Sequence, residues 1–154
     1  AMEEAKNLIP EVFKEYESLC GRKLSSVKSY RTEDADILMF VLGSSYLTAK
    51  AAVNKLRENG KKVGVFTLGV LRPFPDEEIS KLCGKAKKII IVPSDVPLIG
   101  KTNVQMLIDA SKSLDFIIVP SKGGGTNMII MKPMAITQEA LHGSGMTGSL
   151  AYQG

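Results

Sequence analysis

The stretch that decides the fold runs from Ser29 to Glu78. It contains an unbroken apolar run, Ile37-Leu38-Met39-Phe40-Val41-Leu42, which Gly43-Ser44-Ser45 separates from an amphipathic helix. A second strand-like run, Val63 to Leu71, follows that helix and ends at Arg72-Pro73-Phe74-Pro75. Unbroken apolar runs are typical of strands that helices cover on both faces. The strand–helix–strand order therefore predicts a parallel βαβ unit.

The same alternation continues toward the C-terminus. Asp76, Glu77 and Glu78 favour the start of another helix, because acidic residues suit the positive end of the helix dipole. The run Ile89–Val92 predicts another buried strand and Phe116–Val119 the strand after it, with a helix from Asn103 between them. Leu24–Tyr30 alternates only roughly, as an edge strand would. This order predicts a mostly parallel sheet between two layers of helices.

The two ends of the chain differ from this middle part. Residues 1–21 form one predicted helix, which begins near Ile9 or is kinked there because Pro10 fits poorly in a helix interior. Residues 22–142 form the predicted domain, ending in a short helix, Thr137–His142. Residues 143–154 are rich in Gly and Ser, and we expect a flexible tail. Ala1 ahead of Met2 is consistent with a fragment of a longer protein, so whether the chain is a full subunit stays open.

Composition excludes several classes of protein. The chain has 154 residues and a net charge of only +4. Its lysines are dispersed near predicted helix ends without interleaved aromatic residues, so we expect no nucleic-acid partner. No apolar run reaches the roughly 20 residues of a membrane span. Cys20 and Cys83 each lie on the apolar stripe of a predicted helix, where a thiol acts as a small core residue. Neither cysteine has metal-ligand spacing, and we expect a cytoplasmic protein.

Several short motifs, in order and at the right spacing, resemble the middle domain of the 2-oxoacid:ferredoxin oxidoreductases, the pyruvate:ferredoxin oxidoreductase group. The matching residues lie between Phe13 and Glu78. They are Cys20-Gly21-Arg22-Lys23, Tyr30-Arg31-Thr32-Glu33-Asp34-Ala35-Asp36, Leu42-Gly43-Ser44-Ser45, Thr48-Ala49-Lys50, Leu56 to Gly64, and Arg72-Pro73-Phe74-Pro75.

The resemblance implies a fold and a role. The domain is similar to the C-terminal domain of transketolase, a three-layer α/β/α structure with five strands in the order 1-3-2-4-5 and the first strand antiparallel. Whole enzymes of the family decarboxylate a 2-oxoacid on thiamine diphosphate with Mg, pass electrons through iron–sulfur clusters to ferredoxin or flavodoxin, and form an acyl-CoA. The resemblance implies that other domains or subunits carry these cofactors and that this chain carries none. Its partners would be those domains and subunits, with a homodimer as an open alternative.

The latter part of the chain departs from the family pattern. Where the family has an aspartate-arginine pair and a Gly-rich aromatic loop, this chain has Pro93 to Gly100. Where the family has Gly-Leu-Gly-Gly-Arg-Asp, it has Lys122-Gly123-Gly124-Gly125-Thr126-Asn127. Met128 to Met134 is interpreted as an insertion. The roles of residues 93–100 and 121–134 therefore stay open.

Two candidate sites follow from this topology. Ligands of doubly wound sheets bind beyond the carboxyl ends of the strands, at the point where the strand order reverses. The residues there are Gly43, Ser44, Ser45 and Ser94, and a helix N-terminus at Gly43–Ser45 could hold an anion. Alternatively, one serine is only the helix N-cap. Arg72 is a candidate for pairing with a carboxylate of an adjoining domain, or an ordinary solvated arginine.

The sequence thus supports two functions. The first is a non-catalytic assembly domain of a thiamine diphosphate-dependent 2-oxoacid:ferredoxin oxidoreductase, inactive when isolated and with no catalytic residue of its own. The alternative is a stand-alone anion- or nucleotide-binding module that uses the Gly43–Ser45 helix N-terminus. An independent flavodoxin-like enzyme is poorly supported, because no paired acid and base or activated nucleophile is evident. Which 2-oxoacid the parent enzyme would use cannot be read from these residues.

Overall fold

The computed structural model describes residues 2–93 and 101–133, with the backbone alone for residues 101–104. Strands and helices alternate along most of this length. The elements are α1 (Met2–Cys20), β1 (Val27–Tyr30), β2 (Ile37–Val41), α2 (Ser45–Glu58), β3 (Val63–Leu68), α3 (Asp76–Cys83), β4 (Lys88–Val92), α4 (Lys101–Ala110), β5 (Phe116–Pro120) and β6 (Thr126–Met131). The predicted Thr137–His142 helix and the 143–154 tail lie outside the described residues.

The strands form one mixed sheet in the order β1-β3-β2-β4-β6-β5. β2 pairs in parallel with β3 on one side and with β4 on the other, while β1 pairs antiparallel with β3 at the edge. The predicted α/β class is confirmed, as are the order of the first four strands and the reversed direction of the first.

The sheet differs from the expected 1-3-2-4-5 order beyond β4. We expected Phe116–Val119 to lie beside β4, and this expectation is wrong. The interpretation of Met128 to Met134 as an insertion of the family pattern stays a prediction. β6 pairs antiparallel with β4, with Ile90 opposite Ile130, and β5 pairs antiparallel with β6 at the outer edge. The reason is the link between β5 and β6, which is too short for the crossover that parallel neighbours need, so the two strands form a hairpin.

Helices cover the two faces of the sheet unequally. On one face α2 and α4 cover a core that includes Val53, Val65 and Ile130, each at most 2% exposed. On the other face α3 packs on a second core around Phe66 and Ile89. This second core contains residues of β2, β3 and β4. The outer strand β5 has no buried residue. The structure is therefore a three-layer α/β/α arrangement whose best-packed part is β2, β3 and β4.

α1 is the least buried helix of the described chain. None of its residues is buried, and it runs through Pro10 from Met2, so a start near Ile9 is wrong. Cys20 at its end is exposed, which corrects the expectation of a core thiol, whereas Cys83 in α3 is buried as expected. Lys6 joins α1 to the start of α3 through ion pairs with Asp76 and Glu77, at 3.5 and 3.3 Å.

Candidate functional site

The Gly43–Ser45 turn lies at the carboxyl end of β2 and leads into α2. Gly43 has a φ of +61°, a conformation that glycine adopts at little cost. Ser44 occupies the N-cap position, but its hydroxyl makes no capping hydrogen bond. The N–H groups of Tyr46 and Leu47 instead donate to the carbonyl oxygens of Gly43 and Ser44, at 3.2 and 3.3 Å. The turn closes through its own backbone, and Ser44 takes the N-cap position that the alternative interpretation gave to Ser44 or Ser45, but without a side-chain hydrogen bond.

The expected crevice between the second and fourth strands has the predicted neighbours. β2 and β4 are adjacent and in register, with Val41 opposite Val92. Gly43 and Pro93 therefore lie at the same edge of the sheet. Ser94 lies outside the described residues, so the grouping of Gly43, Ser44, Ser45 and Ser94 stays a prediction.

Large apolar side chains lie in the segments that follow the carboxyl ends of β2 and β3. Four of them are exposed: Leu42 by 37%, Leu47 by 72%, Leu71 by 62% and Phe74 by 44%. We call these four residues the carboxyl-edge patch. A site for a small anion is built from convergent polar donors, whereas an exposed apolar patch is typical of a surface that another polypeptide covers.

Arg72 lies within this edge, between Leu71 and Pro73. It is exposed, and its peptide bond to Pro73 is cis. It makes no ion pair within the described part of the chain. The position suits a contact with an adjoining polypeptide, and the interdomain role of Arg72 stays a prediction.

A network at the opposite, amino edge of the sheet was not foreseen from the sequence. The guanidinium of Arg57 donates to the carbonyl oxygens of Val63 and Arg31, at 2.7 and 2.8 Å, and to both carboxylate oxygens of Asp34, at 2.7 and 3.3 Å. The hydrogen bonds from Arg57 lower the pKa of the Asp34 carboxyl. Arg57 thus ties the end of α2 to the Arg31–Asp34 turn.

Gly64 lies against the same turn. A Cβ at this position would come within 2.5 Å of the Arg31 carbonyl oxygen and 2.9 Å of the Thr32 Cα atom. Arg31 itself has a φ of +53°. Four motif residues of the resemblance (Arg31, Asp34, Arg57 and Gly64) therefore serve the fold rather than a ligand. In the sequence, the only indication of this shared structural role is that the four residues lie in neighbouring motifs of the resemblance.

A second polar cluster at the amino edge joins β4 to the end of α4. The ammonium group of Lys88 donates to the hydroxyl of Ser111 at 2.6 Å and also to the Ser111 carbonyl oxygen. Burial, and then the charges of Lys132 and Lys112, lower the pKa of Lys88. Lys132 pairs with Asp115 beside it. Because Ser111 is 1% exposed and fully engaged, this cluster is structural.

Two observations on the described residues concern metal binding and nucleophilic chemistry. No group of three His, Cys, Asp or Glu side chains there could hold a metal ion. Burial raises the pKa of the Cys83 thiol to about 11, so this thiol is a poor nucleophile. No helix within residues 2–93 and 101–133 is long and apolar enough to span a membrane.

Comparison with known proteins identifies the domain. The sequence profile of the family described as "Pyruvate:ferredoxin oxidoreductase core domain II" matches residues 35–129. The "Pyruvate synthase subunit PorA" of Pyrococcus furiosus is 44% identical over 98 residues, which cover 64% of this chain and 25% of that protein. The protein of the same name from Pyrococcus horikoshii is 43% identical over 114 residues, covering 74% of this chain and 28% of that protein.

A second kind of relative matches a shorter stretch. The "2-phospho-L-lactate guanylyltransferase" of Methanobrevibacter smithii is 77% identical over 53 residues, covering 34% of this chain and 24% of that protein. Among solved structures, a "2-oxoglutarate:ferredoxin oxidoreductase from Magnetococcus marinus" aligns with a TM-score of 0.44 and 21% identity, over 84% of this chain and 21% of that one.

This chain therefore spans about a quarter of the length of these curated relatives. The family profile nevertheless covers more than half of the chain, through β2, β3, β4, β5 and most of β6. The chain belongs to the family of pyruvate:ferredoxin oxidoreductase core domain II.

Proposed function

We propose that this chain is a non-catalytic assembly domain of a 2-oxoacid:ferredoxin oxidoreductase of the pyruvate synthase type. The observation that carries the proposal is the carboxyl-edge patch in a domain of this family. In a doubly wound sheet that edge is where ligands bind. Here Leu42, Leu47, Leu71 and Phe74 make it an apolar docking surface instead. The alternative, a stand-alone anion- or nucleotide-binding module at Gly43–Ser45, is not favoured by the family match.

The cofactors of the reaction belong elsewhere in the parent complex under this proposal. Thiamine diphosphate needs a divalent metal on oxygen ligands, and iron–sulfur clusters need several cysteine thiolates. The described residues do not fit either group: they contain no cluster of metal-binding side chains, and one of their two cysteines is buried. We assign Mg, thiamine diphosphate, the clusters and the coenzyme A site to other domains or subunits.

The partners follow from the same proposal. They are the other domains and subunits of the oxidoreductase, and through them ferredoxin or flavodoxin in the cytoplasm. Residues 1–21 would lead in from a preceding domain, residues 22–142 would form the assembly domain, and residues 143–154 a flexible tail. Arg72, exposed beside the carboxyl-edge patch, would pair with a carboxylate of the adjoining polypeptide.

A thermal-shift experiment on the full chain tests this function. We expect no rise in melting temperature with thiamine diphosphate and Mg, coenzyme A, inorganic phosphate or nucleotides. We expect a rise with the remaining subunits of a PorA-type enzyme, because binding to the folded state alone stabilises it. Stabilisation by thiamine diphosphate would overturn the proposal. Stabilisation by phosphate or a nucleotide alone would favour the anion-binding alternative.

The guanylyltransferase match amounts to 24% of that protein, so we do not propose guanylyl transfer by this chain. Reading the codons on either side of the segment in its gene would identify the parent protein.

A further inference from the structure

A second exposed apolar surface of the described chain lies on α1. It is the outward face of α1, where Leu8, Val12, Tyr16 and Leu19 recur at intervals of three or four residues. They are exposed by 55%, 47%, 38% and 78%. This spacing places them along one side of the helix. We call these four residues the α1 stripe.

The α1 stripe is distinct from the face by which α1 meets its own domain. Ala5, Ile9 and Phe13, spaced four apart, are the half-buried positions of the helix. Ile9 and Pro10 line a cleft shared with Pro73 and Phe74. The domain thus uses one side of α1 and leaves the neighbouring apolar side in solvent.

An acidic row accompanies the stripe. Glu11 and Glu15 each precede a stripe residue by one position and are exposed. They therefore follow the stripe on the side that faces away from the domain. Charges that flank an apolar helix seam determine which partner helix binds, as at the e and g positions of a coiled coil.

We propose that the α1 stripe docks an amphipathic helix of another polypeptide, with an apolar seam bordered by lysine or arginine. The proposal rests on the proposed assembly function and names the chemistry of one partner surface. Basic side chains opposite Glu11 and Glu15 would guide the encounter and fix the orientation, while Leu8, Val12 and Leu19 supply the apolar contact.

A second copy of the chain fits this surface less well. In an antiparallel pair of α1 helices related by a twofold axis, the acidic rows of the two copies would face each other and repel. In a parallel pair, each acidic row would meet the Ala5–Phe13 side of the other copy, which already packs on its own domain. An anionic lipid surface is disfavoured by the same acidic row.

The test uses the full chain and two synthetic helical peptides as probes. Both peptides carry the same leucine seam; one has lysines and the other glutamates along its border. Fluorescence anisotropy should show that the lysine peptide binds about tenfold more tightly, because two exposed charge pairs change from repulsive to attractive. The preference should weaken as salt is raised.

Amino-acid substitutions test whether the peptides bind at the α1 stripe. E11K/E15K should reverse the peptide preference, and L8D/L19D should remove binding of both peptides while the melting temperature stays within a few degrees. The matched control is L47D, which alters the carboxyl-edge patch and should leave peptide binding unchanged.

Equal affinity for both peptides, or binding that survives L8D/L19D, would overturn the proposal, as would a dimer in sedimentation that L8D/L19D abolishes. L47D is expected to weaken assembly with PorA-type subunits, so the failure of α1 docking and the failure of the assembly function are distinguishable.

Discussion

The part of the chain up to Val92 and the part from Lys101 onward differ in how deeply their strands are buried. In the earlier part β3 is buried at five of its six positions, and Val53 and Val65 have no exposed surface. In the later part no residue of β5 is buried, and Phe116 and Ile118 are exposed by 49% and 41%. The earlier part is covered by helices on both faces, whereas the outer strands of the later part are covered mainly on one face.

This difference coincides with the change in resemblance. The short motifs of the resemblance lie between Phe13 and Glu78, in the earlier part, although the family profile extends to residue 129, and the sheet departs from the expected order after β4. Stability should therefore be concentrated in β2, β3 and β4, since local free energies of opening follow buried apolar contacts. The predictions below compare matched residues in the two parts, from the largest expected effect to the smallest.

The largest contrast is between two phenylalanines in strands. Phe66 is 1% exposed and stacks on Phe40 with ring centroids 5.0 Å apart, whereas Phe116 is 49% exposed. We expect Phe66→Ala to lower the free energy of unfolding by about 4 kcal/mol, from lost burial and the cavity left behind. Phe116→Ala should cost about 1 kcal/mol or less, because little surface is withdrawn from water. Urea denaturation of both variants measures the contrast, and equal losses would contradict it.

The next contrast is between two glycines. Gly64→Ala would force a Cβ to within 2.5 Å of a backbone oxygen, and we expect a loss of about 3 kcal/mol. Gly123 has open space around it and should accept alanine within about 0.5 kcal/mol. Thermal unfolding followed by circular dichroism checks both variants. A tolerated Gly64→Ala would mean that the Arg31–Asp34 turn is not fixed as described.

Replacement of Arg57 should have a smaller effect on the free energy of unfolding. Arg57→Ala leaves the carbonyl oxygens of Arg31 and Val63 without their charged donor, and we expect a loss of about 2 kcal/mol. Lys55→Ala on the exposed side of α2 is the matched control and should change the stability by less than about 0.5 kcal/mol. If the two variants unfold at the same denaturant concentration, the Arg57 network contributes nothing to stability.

The smallest expected effect is the contribution of Asp34 to the pH dependence of stability. The pKa of Asp34 is lowered in the folded chain by its hydrogen bonds with Arg57, relative to its ordinary value of 3.8. The stabilisation is therefore complete above that ordinary value and is lost as the pH falls through the lower folded value. Asp34→Asn should lose less stability on acidification than the parent chain, while Glu33→Gln should follow the parent. Identical acid profiles for the parent chain and Asp34→Asn would refute this assignment.

Part of this structure could be predicted from residues alone. The unbroken apolar runs of β2 and β4 and the motifs between Tyr30 and Pro75 fix the first four strands. The hairpin of β5 and β6 was missed because Met128–Met131 was interpreted as an insertion of the family pattern. The short Gly-rich link at Gly123–Gly125 between two apolar runs is itself a hairpin signature and could have identified it.

The candidate site was harder to predict for a physical reason. The position of the Gly43–Ser45 turn follows from topology, but its surroundings depend on residues distant in sequence, such as Leu71 and Phe74. The same holds for Arg57, whose partners come from the Arg31–Asp34 turn and from β3. Contacts between remote segments depend on the folded arrangement, and a pattern along the chain does not contain them.

The central claim is that the carboxyl edge of this domain docks another polypeptide. Hydrogen exchange of the full chain, alone and with the remaining subunits of a PorA-type enzyme, measures this directly. We predict slower exchange on assembly at Leu42–Leu47 and Leu71–Phe74, with no change at the Arg31–Asp34 turn of the opposite edge. Unchanged exchange at the carboxyl edge, or protection confined to the amino edge, would contradict the account.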